Sequence, residues 1–365
     1  MRDAPEQFER LARLVEEGLH RRLSRRELIA RGLALGLGLP AVSAALAACG
    51  LQPPAEEQSL SRWQPPPPTD PAPVPPQGQT RPIPAPTTPP TPAPTATAEP
   101  QPTVETRIRF AVIGDYGLAG EAAAAVAALV AGWEPDFVVT TGDNNYPDGR
   151  AETIDRNIGQ YYSQFIAPYR GAFGPGATEN RFWPVLGNHD WSTGYPEPYL
   201  AYFSLPGNGR YYSVERGPVR LFALDSMPGE PDGINSDSPQ AAWLQRELAA
   251  STARWNIVVL HHSPYSSGHH GSSTWMRWPF AAWGAHLVLG GHDHTYERVE
   301  RDGITYIVNG LGGGARYARG FTGLEGSQIF FNADHGAMLV EAGPQTLDAR
   351  FVTRAGVEVD SFGLT

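Results

Sequence analysis

Residues 136–146 read Asp-Phe-Val-Val-Thr-Thr-Gly-Asp-Asn-Asn-Tyr, and the rest of the chain is organised around this stretch. A short apolar, β-branched run that ends at Gly-Asp predicts a buried strand that presents a carboxylate at its C-terminal end. Ligands bind at that edge in an open α/β sheet. Tyr146 follows Asp143 after a tight turn, so both side chains are able to reach one metal ion. Because a carboxylate has two oxygens, Asp143 is our candidate for bridging two metal ions, although Gly-Asp alone is also typical of a simple turn.

Four further places repeat the pattern of an apolar run that ends in residues able to bind metals. They are Gly114-Asp115-Tyr116-Gly117, Gly187-Asn188-His189-Asp190, His261-His262-Ser263-Pro264 and Gly290-Gly291-His292-Asp293-His294. The glycines matter because backbone beside a metal ion or a phosphate has to turn sharply without a Cβ in the way. Each motif alone is weak, since a single histidine at a strand end is more often structural. Five of them in one domain are hard to explain by core packing, and together they predict a metal site.

Composition divides the 365 residues into three parts. We expect an export signal over residues 1–49, a disordered Pro/Thr/Ala-rich tether over 50–104, and a catalytic domain over 105–365. The net charge is -10 and all 28 basic residues are arginine, so a nucleic-acid backbone is not an expected partner.

The first part has the order of an export signal. A basic segment that contains Arg25-Arg26 precedes an Ala/Gly/Leu-rich stretch with small residues at its end. The arginine pair resembles the twin-arginine signal, and Leu46-Ala47-Ala48-Cys49 resembles the lipobox of bacterial lipoproteins. Cys49 is the only cysteine and stands where that motif requires a thiol, so we expect a lipid-anchored protein on the extracytoplasmic face of a membrane. The alternative is an uncleaved membrane helix of about 20 residues.

The catalytic domain opens with a β-α-β pattern. Residues 107–113 predict a strand and 119–131 an alanine-rich helix before the central strand, which implies a right-handed crossover and a largely parallel sheet. Later segments alternate apolar and polar residues and predict a second, partly antiparallel sheet. These segments are 210–214, 219–224, 304–309, 337–341 and 346–353.

The five motifs resemble, in order, those of purple acid phosphatases within the calcineurin-like metallophosphoesterases. Most of that superfamily opens with Asp-x-His, whereas this chain has Asp115-Tyr116-Gly117 and supplies Tyr146 instead, which is the purple acid phosphatase pattern. The resemblance implies a four-layer α/β/β/α sandwich with two mixed sheets. It also implies a phosphoric ester hydrolase of the acid phosphatase type, acting on phosphate monoesters.

The resemblance implies two metal ions, with Asp143 bridging them. The first ion would bind Asp115, Tyr146 and His294, and the second would bind Asn188, His262 and His292. The oxygen-rich first site suits Fe(III), and the two imidazoles of the second suit Fe(II), Zn or Mn. We expect His261 to point to the opposite face of its strand as a structural residue.

Two metal ions about 3.5–4 Å apart can hold phosphate oxygens and a hydroxide, so that the hydroxide attacks phosphorus in line. His189 is our candidate for the acid that protonates the leaving group. His270, with His269 beside it on a Ser/Gly-rich loop, is the candidate for substrate contact. We expect Asp190 to orient His189, and Asp293 to be a spacer.

Three alternatives stay open at this point. The first is a phosphodiesterase or nucleotidase with the same metals, which would differ in the loops at 191–203 and 269–278. The second is a non-catalytic, surface-binding lipoprotein that retains the fold. The third is a Mn or Zn phosphoesterase without iron, which would lack the visible absorption band of a tyrosinate-ferric pair.

Overall fold

A computed structural model describes residues 107–320 and 323–365. The predicted export signal, Cys49 and the tether lie outside the described residues, so those expectations stay predictions. Within the described ranges, none of the helices has the length and apolar character needed to cross a membrane.

The described chain forms thirteen strands and a set of short and medium helices. The strands are β1 (Ile108–Ile113), β2 (Phe137–Thr140), β3 (Phe182–Trp183), β4 (Tyr212–Arg216), β5 (Val219–Ala223), β6 (Trp255–His262), β7 (Leu287–Gly291), β8 (Tyr296–Arg301), β9 (Ile304–Asn309), β10 (Ser327–Phe331), β11 (Gly336–Ala342), β12 (Leu347–Thr353) and β13 (Glu358–Leu364). The α-helices are α1 (Glu121–Gly132), α2 (Ala151–Ile154), α3 (Gln160–Tyr162), α4 (Glu197–Tyr202), α5 (Pro239–Ala249) and α6 (Phe280–Trp283). A π-helical turn (Asp155–Gly159) and two 3₁₀ turns (Ser163–Phe165 and Thr274–Met276) complete the set.

The strands form two mixed sheets, as the resemblance implies. The first sheet has the order β13-β12-β11-β1-β2-β3, and the second has the order β10-β8-β9-β7-β6-β5-β4. In the first, β1, β2 and β3 are parallel, whereas β11 pairs antiparallel with β1. The expectation that segments 337–341 and 346–353 belong to the second sheet is wrong, because these segments form β11 and β12. Alternation shows which face of a strand is buried, but it does not identify the neighbouring strand.

Alternating side chains build the layers. In β1, Phe110 and Val112 face the core between the sheets, whereas Ala111 and Ile113 pack on the outer face with α1. Alternate residues of β6 divide in the same way between the central core and a third cluster that includes α5 and α6. The result is the four-layer α/β/β/α sandwich.

Asn144 connects the ends of the first three strands. Its side-chain oxygen accepts hydrogen bonds from the hydroxyls of Tyr116 (3.0 Å) and Thr140 (2.7 Å). Its side-chain nitrogen donates to Asp190 Oδ2 (2.8 Å), which also accepts from the backbone N–H groups of Gly187 (2.9 Å) and Asn144 (3.2 Å). The expectation that Asp190 orients His189 is wrong, because Oδ2 binds these three N–H groups and the buried Oδ1 has no hydrogen-bond partner. Asp190 therefore joins two of the loops that carry the motifs.

We expect Asp190→Ala to lower the free energy of unfolding by about 1–3 kcal/mol, because buried N–H groups of Gly187 and Asn144 lose their acceptor. Burial, and then the charge of Asp143, raises the pKa of Asp190 to about 7. A neutral side chain of the same shape is therefore tolerated, and Asp190→Asn should cost less than Asp190→Ala. Urea unfolding of both variants at one fixed metal concentration measures the difference. Equal losses would contradict this account of the hydrogen bonds.

Candidate metal centre

Three of the predicted metal ligands share an uncommon backbone conformation. Asp115, Asp143 and His292 lie within three residues of the ends of β1, β2 and β7, and their φ angles are 53°, 53° and 72°. Positive φ is uncommon for residues other than glycine, and strained backbone clusters at functional sites. The side chain of Asp143 also needs Gly187, since a Cβ at that position would lie 2.2 Å from Asp143 Oδ1. The backbone is thus shaped to aim these side chains at one place.

The first ligand group consists of Asp115, Asp143, Tyr146 and His294. The Tyr146 hydroxyl lies 3.0 Å from both Asp143 Oδ2 and His294 Nε2, and 3.4 Å from Asp115 Oδ1. His294 Nε2 is 3.3 Å from Asp115 Oδ1. The other imidazole nitrogen of His294 is hydrogen-bonded to the carbonyl of Ala315, which leaves Nε2 for the centre. Three oxygens and one nitrogen from four separate positions therefore converge.

The first ligand group needs positive charge. Both carboxylates are buried, and in the described part of the chain the ion-pair partners of Asp115 and Asp143 are histidines. Burial, and then the charges of Asp143 and Asp115, raises the pKa of the Tyr146 phenol well above its usual value, so its ionisation needs a cation beside it. Although burial favours neutral imidazole, Asp115 raises the pKa of His294. This chemistry fits a hard metal cation.

The second ligand group consists of the predicted ligands Asn188, His262 and His292, and His261 contacts both Asn188 and His292. The rings of His262 and His292 are 4.5 Å apart, and His262 Nδ1 is 2.9 Å from the Ser226 hydroxyl. Burial, and then a neighbouring imidazole, lowers the pKa of both histidines well below the usual value. Metal ligation requires neutral imidazole, so this environment suits a cation.

His261 does not have the position we expected. We expected it on the opposite face of β6 from His262, but the pairing of β6 with β7 shifts register between Val259 and His262, and the two rings lie 4.9 Å apart. His261 Nε2 is 2.9 Å from Asn188 Oδ1, 3.2 Å from His292 Nδ1 and 3.5 Å from Asp143 Oδ1. The potential ligand atoms of His261, His262 and His292 all lie within 4.8 Å of one another. A purely peripheral structural role for His261 is therefore wrong.

His189 lies against the bridging candidate. Its backbone N–H donates to Asp143 Oδ1 (2.9 Å), and its Nε2 is 3.9 Å from Asp143 Oδ2. Its Nδ1 is hydrogen-bonded to the carbonyl of Pro147, and its ring packs on that of Tyr146 at 4.3 Å. Because a carbonyl only accepts, Nδ1 carries a hydrogen, and Nε2 is the nitrogen on the side of Asp143.

The two other histidines of the predicted catalytic set lie at the surface of the centre. Both are exposed, but the ring of His270 stacks on that of His292 at 4.2 Å, whereas the ring of His269 lies 5.2 Å from that of His270. His270 is therefore the nearer of the two to a ligand of the second group.

Asp293 is not a spacer. It is buried, and its Oδ1 accepts a hydrogen bond from the backbone N–H of His270 (2.7 Å). Its Oδ2 accepts from the hydroxyl of Ser266 (2.6 Å) and the N–H of Gly271 (3.1 Å). The residue between two candidate metal ligands thus holds the loop that carries His269 and His270.

The sequence reasoning missed Tyr317. Its ring is parallel to that of His294 at 4.0 Å, and it lies 5.3 Å from the ring of His270. The glycine run at 312–314, just before Tyr317, was the available signal in the sequence. A Cβ at Gly314 would lie 2.8 Å from His294 Cε1, so this segment passes close to a predicted metal ligand. Tyr317 closes one side of the first ligand group.

The predicted ligands lie in two neighbouring groups, and His261 stands between the second group and Asp143. The donor atoms fit two cations, one among oxygens and one among nitrogens. His189 and His270 stand beside these groups. This arrangement is suited to hydrolysis of phosphate esters with two metal ions.

Comparison with known proteins agrees with this geometry. Residues 108–296 match the calcineurin-like phosphoesterase family. The chain is 30% identical over 239 residues to purple acid phosphatase 17 of Arabidopsis thaliana, which covers 56% of this chain and 68% of that protein. It is 28% identical to tartrate-resistant acid phosphatase type 5 of Mus musculus, over 56% of this chain and 72% of that protein.

Two solved structures share the fold. One is the purple acid phosphatase PPD1 of yellow lupin (Lupinus luteus), with a TM-score of 0.59 and 18% identity, over 72% of this chain and 55% of that one. The other is Plasmodium GAP50, described as the anchor in the inner membrane complex, with a TM-score of 0.57 and 19% identity, over 71% and 88%. The family match, the acid phosphatase relatives and the two ligand groups lead to one conclusion. The chain belongs to the calcineurin-like phosphoesterase family, among the relatives of the purple acid phosphatases, and is a phosphoric ester hydrolase.

Proposed function

We propose that the chain is an exported, lipid-anchored phosphomonoesterase with Fe(III) in the first ligand group and Fe(II), Zn or Mn in the second. The observation that carries this proposal is the pair of ligand groups around Asp143, one rich in oxygen and one rich in imidazole. The acid phosphatase relatives support the choice of monoesters. The seven intact ligand side chains weigh against a non-catalytic binding protein.

Two cations held by these groups would lower the pKa of a bound water, so that it could act as the nucleophile, and would neutralise phosphate charge. Side chains beside the two ligand groups would protonate the leaving group and bind the substrate. In its imidazolium form, His189 donates the Nε2 proton to the departing oxygen while the carbonyl of Pro147 keeps the Nδ1 proton in place. His270, with His269 behind it, binds the phosphate or its ester group. Asp293 holds His270 in position through the backbone.

The location of the enzyme is a separate part of the proposal. Arg25-Arg26 supports twin-arginine export, which makes physical sense if iron is loaded before the protein crosses the membrane. Leu46-Ala47-Ala48-Cys49 supports lipidation of Cys49 after export. A tether over residues 50–104 would then hold the catalytic domain away from the membrane.

The metal assignment predicts two metal ions per chain, one of them iron, and a visible charge-transfer band. Tyr146→Phe should abolish that band, because a phenyl ring provides no oxygen to ferric iron, while the far-ultraviolet circular dichroism stays unchanged. Metal analysis and absorption spectra of the purified chain measure both effects. Two divalent ions without iron or a band would instead favour the Mn or Zn alternative.

The reaction predicts rapid hydrolysis of a generic aryl phosphate and slow hydrolysis of the corresponding diester. If His189 protonates the leaving group, His189→Gln should lower kcat for an alkyl phosphate by about 10²–10⁴-fold. The loss should be much smaller for a nitrophenyl ester, whose leaving group needs no proton. His286→Gln is the matched control, since this half-buried histidine accepts the backbone N–H of Asn256 instead. Faster turnover of the diester would show that the proposed preference for monoesters is wrong. No turnover of either ester with both metals bound would show that the proposed enzymatic activity is wrong.

Export predicts that the chain carries lipid and fractionates with membranes. Arg25→Lys with Arg26→Lys should stop export by the twin-arginine route, and Cys49→Ala should release the exported protein from membranes because no thiol remains for attachment. Cell fractionation and mass spectrometry of the N-terminal peptide measure these outcomes. Unchanged export of the double lysine variant would remove the twin-arginine part of the proposal.

A further inference from the structure

We propose that Glu297 is a positioning residue of the substrate site, which acts through the loop that carries His269 and His270. This inference rests on the proposed hydrolysis of phosphate esters and on the role proposed there for His270. It concerns a residue of β8 that is outside the predicted ligand and catalytic sets. The contacts of its carboxyl group carry the argument.

Glu297 is a fully buried carboxylate whose two oxygens are both hydrogen-bonded. Its Oε1 accepts from the hydroxyls of Ser267 (2.6 Å) and Ser327 (2.6 Å), and its Oε2 accepts from the backbone N–H of Ser267 (2.7 Å). The guanidinium of Arg319 lies 3.7 Å from Oε1. Burying a carboxylate is unfavourable unless it is paired and hydrogen-bonded, and an apolar side chain of similar size would avoid this cost. The groups that Glu297 holds therefore explain why a carboxylate stands here.

The loop at 266–271 rests on two buried carboxylates, each of which holds a different part of it. Glu297 binds both the backbone and the side chain of Ser267, three residues before His270. Asp293 binds the hydroxyl of Ser266 and the N–H groups of His270 and Gly271. The side chain of His270 is exposed, so the position of its ring depends on how firmly this backbone is held.

The segment at 317–320 packs on the same serine from the other side. The N–H of Gly320 donates to the carbonyl of Ser267 (2.9 Å), and Arg319 Nε donates to the Ser267 hydroxyl (3.1 Å). A Cβ at Gly320 would lie 2.1 Å from the carbonyl oxygen of Gly268, so the two segments are in direct contact. Glu297 thus anchors the point at which the loop of His270 meets the segment of Tyr317, whose rings lie 5.3 Å apart.

A positioning role and a purely structural role predict different kinetics. If His270 binds phosphate, a loosened loop weakens binding of the substrate and of the transition state alike, which raises KM and leaves kcat nearly unchanged. Simple destabilisation lowers the amount of folded enzyme, and therefore the apparent kcat, without changing KM.

The test is a double-mutant cycle on the full chain with both metals bound. It compares wild type, Glu297→Ala, His270→Ala and the variant with both changes, using an aryl phosphate as substrate and inorganic phosphate as inhibitor. We expect Glu297→Ala to raise KM and the inhibition constant of phosphate about 10-fold, with kcat nearly unchanged. In the His270→Ala background the same change should have little further effect, because Glu297 acts through His270.

Two further variants of β8 serve as controls. Glu297→Gln should restore most of the affinity, since its amide oxygen still accepts from the N–H of Ser267 and its amide nitrogen donates to a serine hydroxyl. Glu300→Ala should resemble wild type, because this exposed glutamate of the same strand accepts from the hydroxyl of Thr305 instead.

The outcomes separate this inference from the proposed function. If wild type hydrolyses the ester but Glu297→Ala keeps its KM, or raises KM equally in both backgrounds, the positioning role is wrong and the enzymatic activity stands. A wild-type KM in His270→Ala would also contradict it, since no substrate contact would remain to be positioned. If wild type shows no turnover, the proposed function fails, and the same cycle measured by direct binding of inorganic phosphate decides the inference. Absence of both turnover and phosphate binding overturns both.

Circular dichroism and thermal unfolding show whether Glu297→Ala has kept its fold. If it has not, Ser267→Ala takes its place in the cycle, because it removes one hydroxyl contact and leaves the carboxylate and the backbone contact intact. A smaller rise in KM that disappears in the His270→Ala background would support the inference. An unchanged KM would overturn it.

Discussion

The balance of charge around Asp143 is the constraint on which the site depends. This carboxylate is 1% exposed, and burial on its own would favour the neutral acid, yet neighbouring imidazoles hold its pKa below the usual value. A second buried carboxylate, Asp115, lies in the same group. Removing carboxylates from water costs several kcal/mol each unless cations compensate. Loops from both sheets therefore converge on this point, and the family's two metal ions supply the compensating charge.

Much of the fold and of the site follows from local patterns. The run that ends at Gly142-Asp143 formed the expected parallel strand, and the predicted strand at Ile304–Asn309 has the same bounds in the structure. The five motifs came together because each follows a strand end, and strand ends share an edge. Resemblance to a known family added the division into two ligand groups, which spacing alone leaves open.

The incorrect predictions have a common physical origin. The local pattern of a sequence does not show which distant residues a side chain will contact. We expected His261 and His262 on opposite faces, but the strand pairing shifts register between Val259 and His262, and both rings lie next to His292. Asp190 sits beside His189 in sequence and yet bonds Asn144, which is 46 positions away. Asp293 likewise bonds the loop around His270, 23 positions away. Long-range contacts of this kind depend on topology, which a single sequence does not display.

The placement of β11, β12 and β13 has a consequence for how the protein can be shortened. The family match ends at residue 296, but these three strands make up half of the first sheet and β11 pairs directly with β1. A fragment cut at the end of the match would leave β1 with an unpaired, apolar edge. Open edges of this kind recruit strands from other molecules. The tail of the domain thus protects the strand that presents Asp115 from self-association, and the smallest soluble unit should extend beyond the family's own boundary.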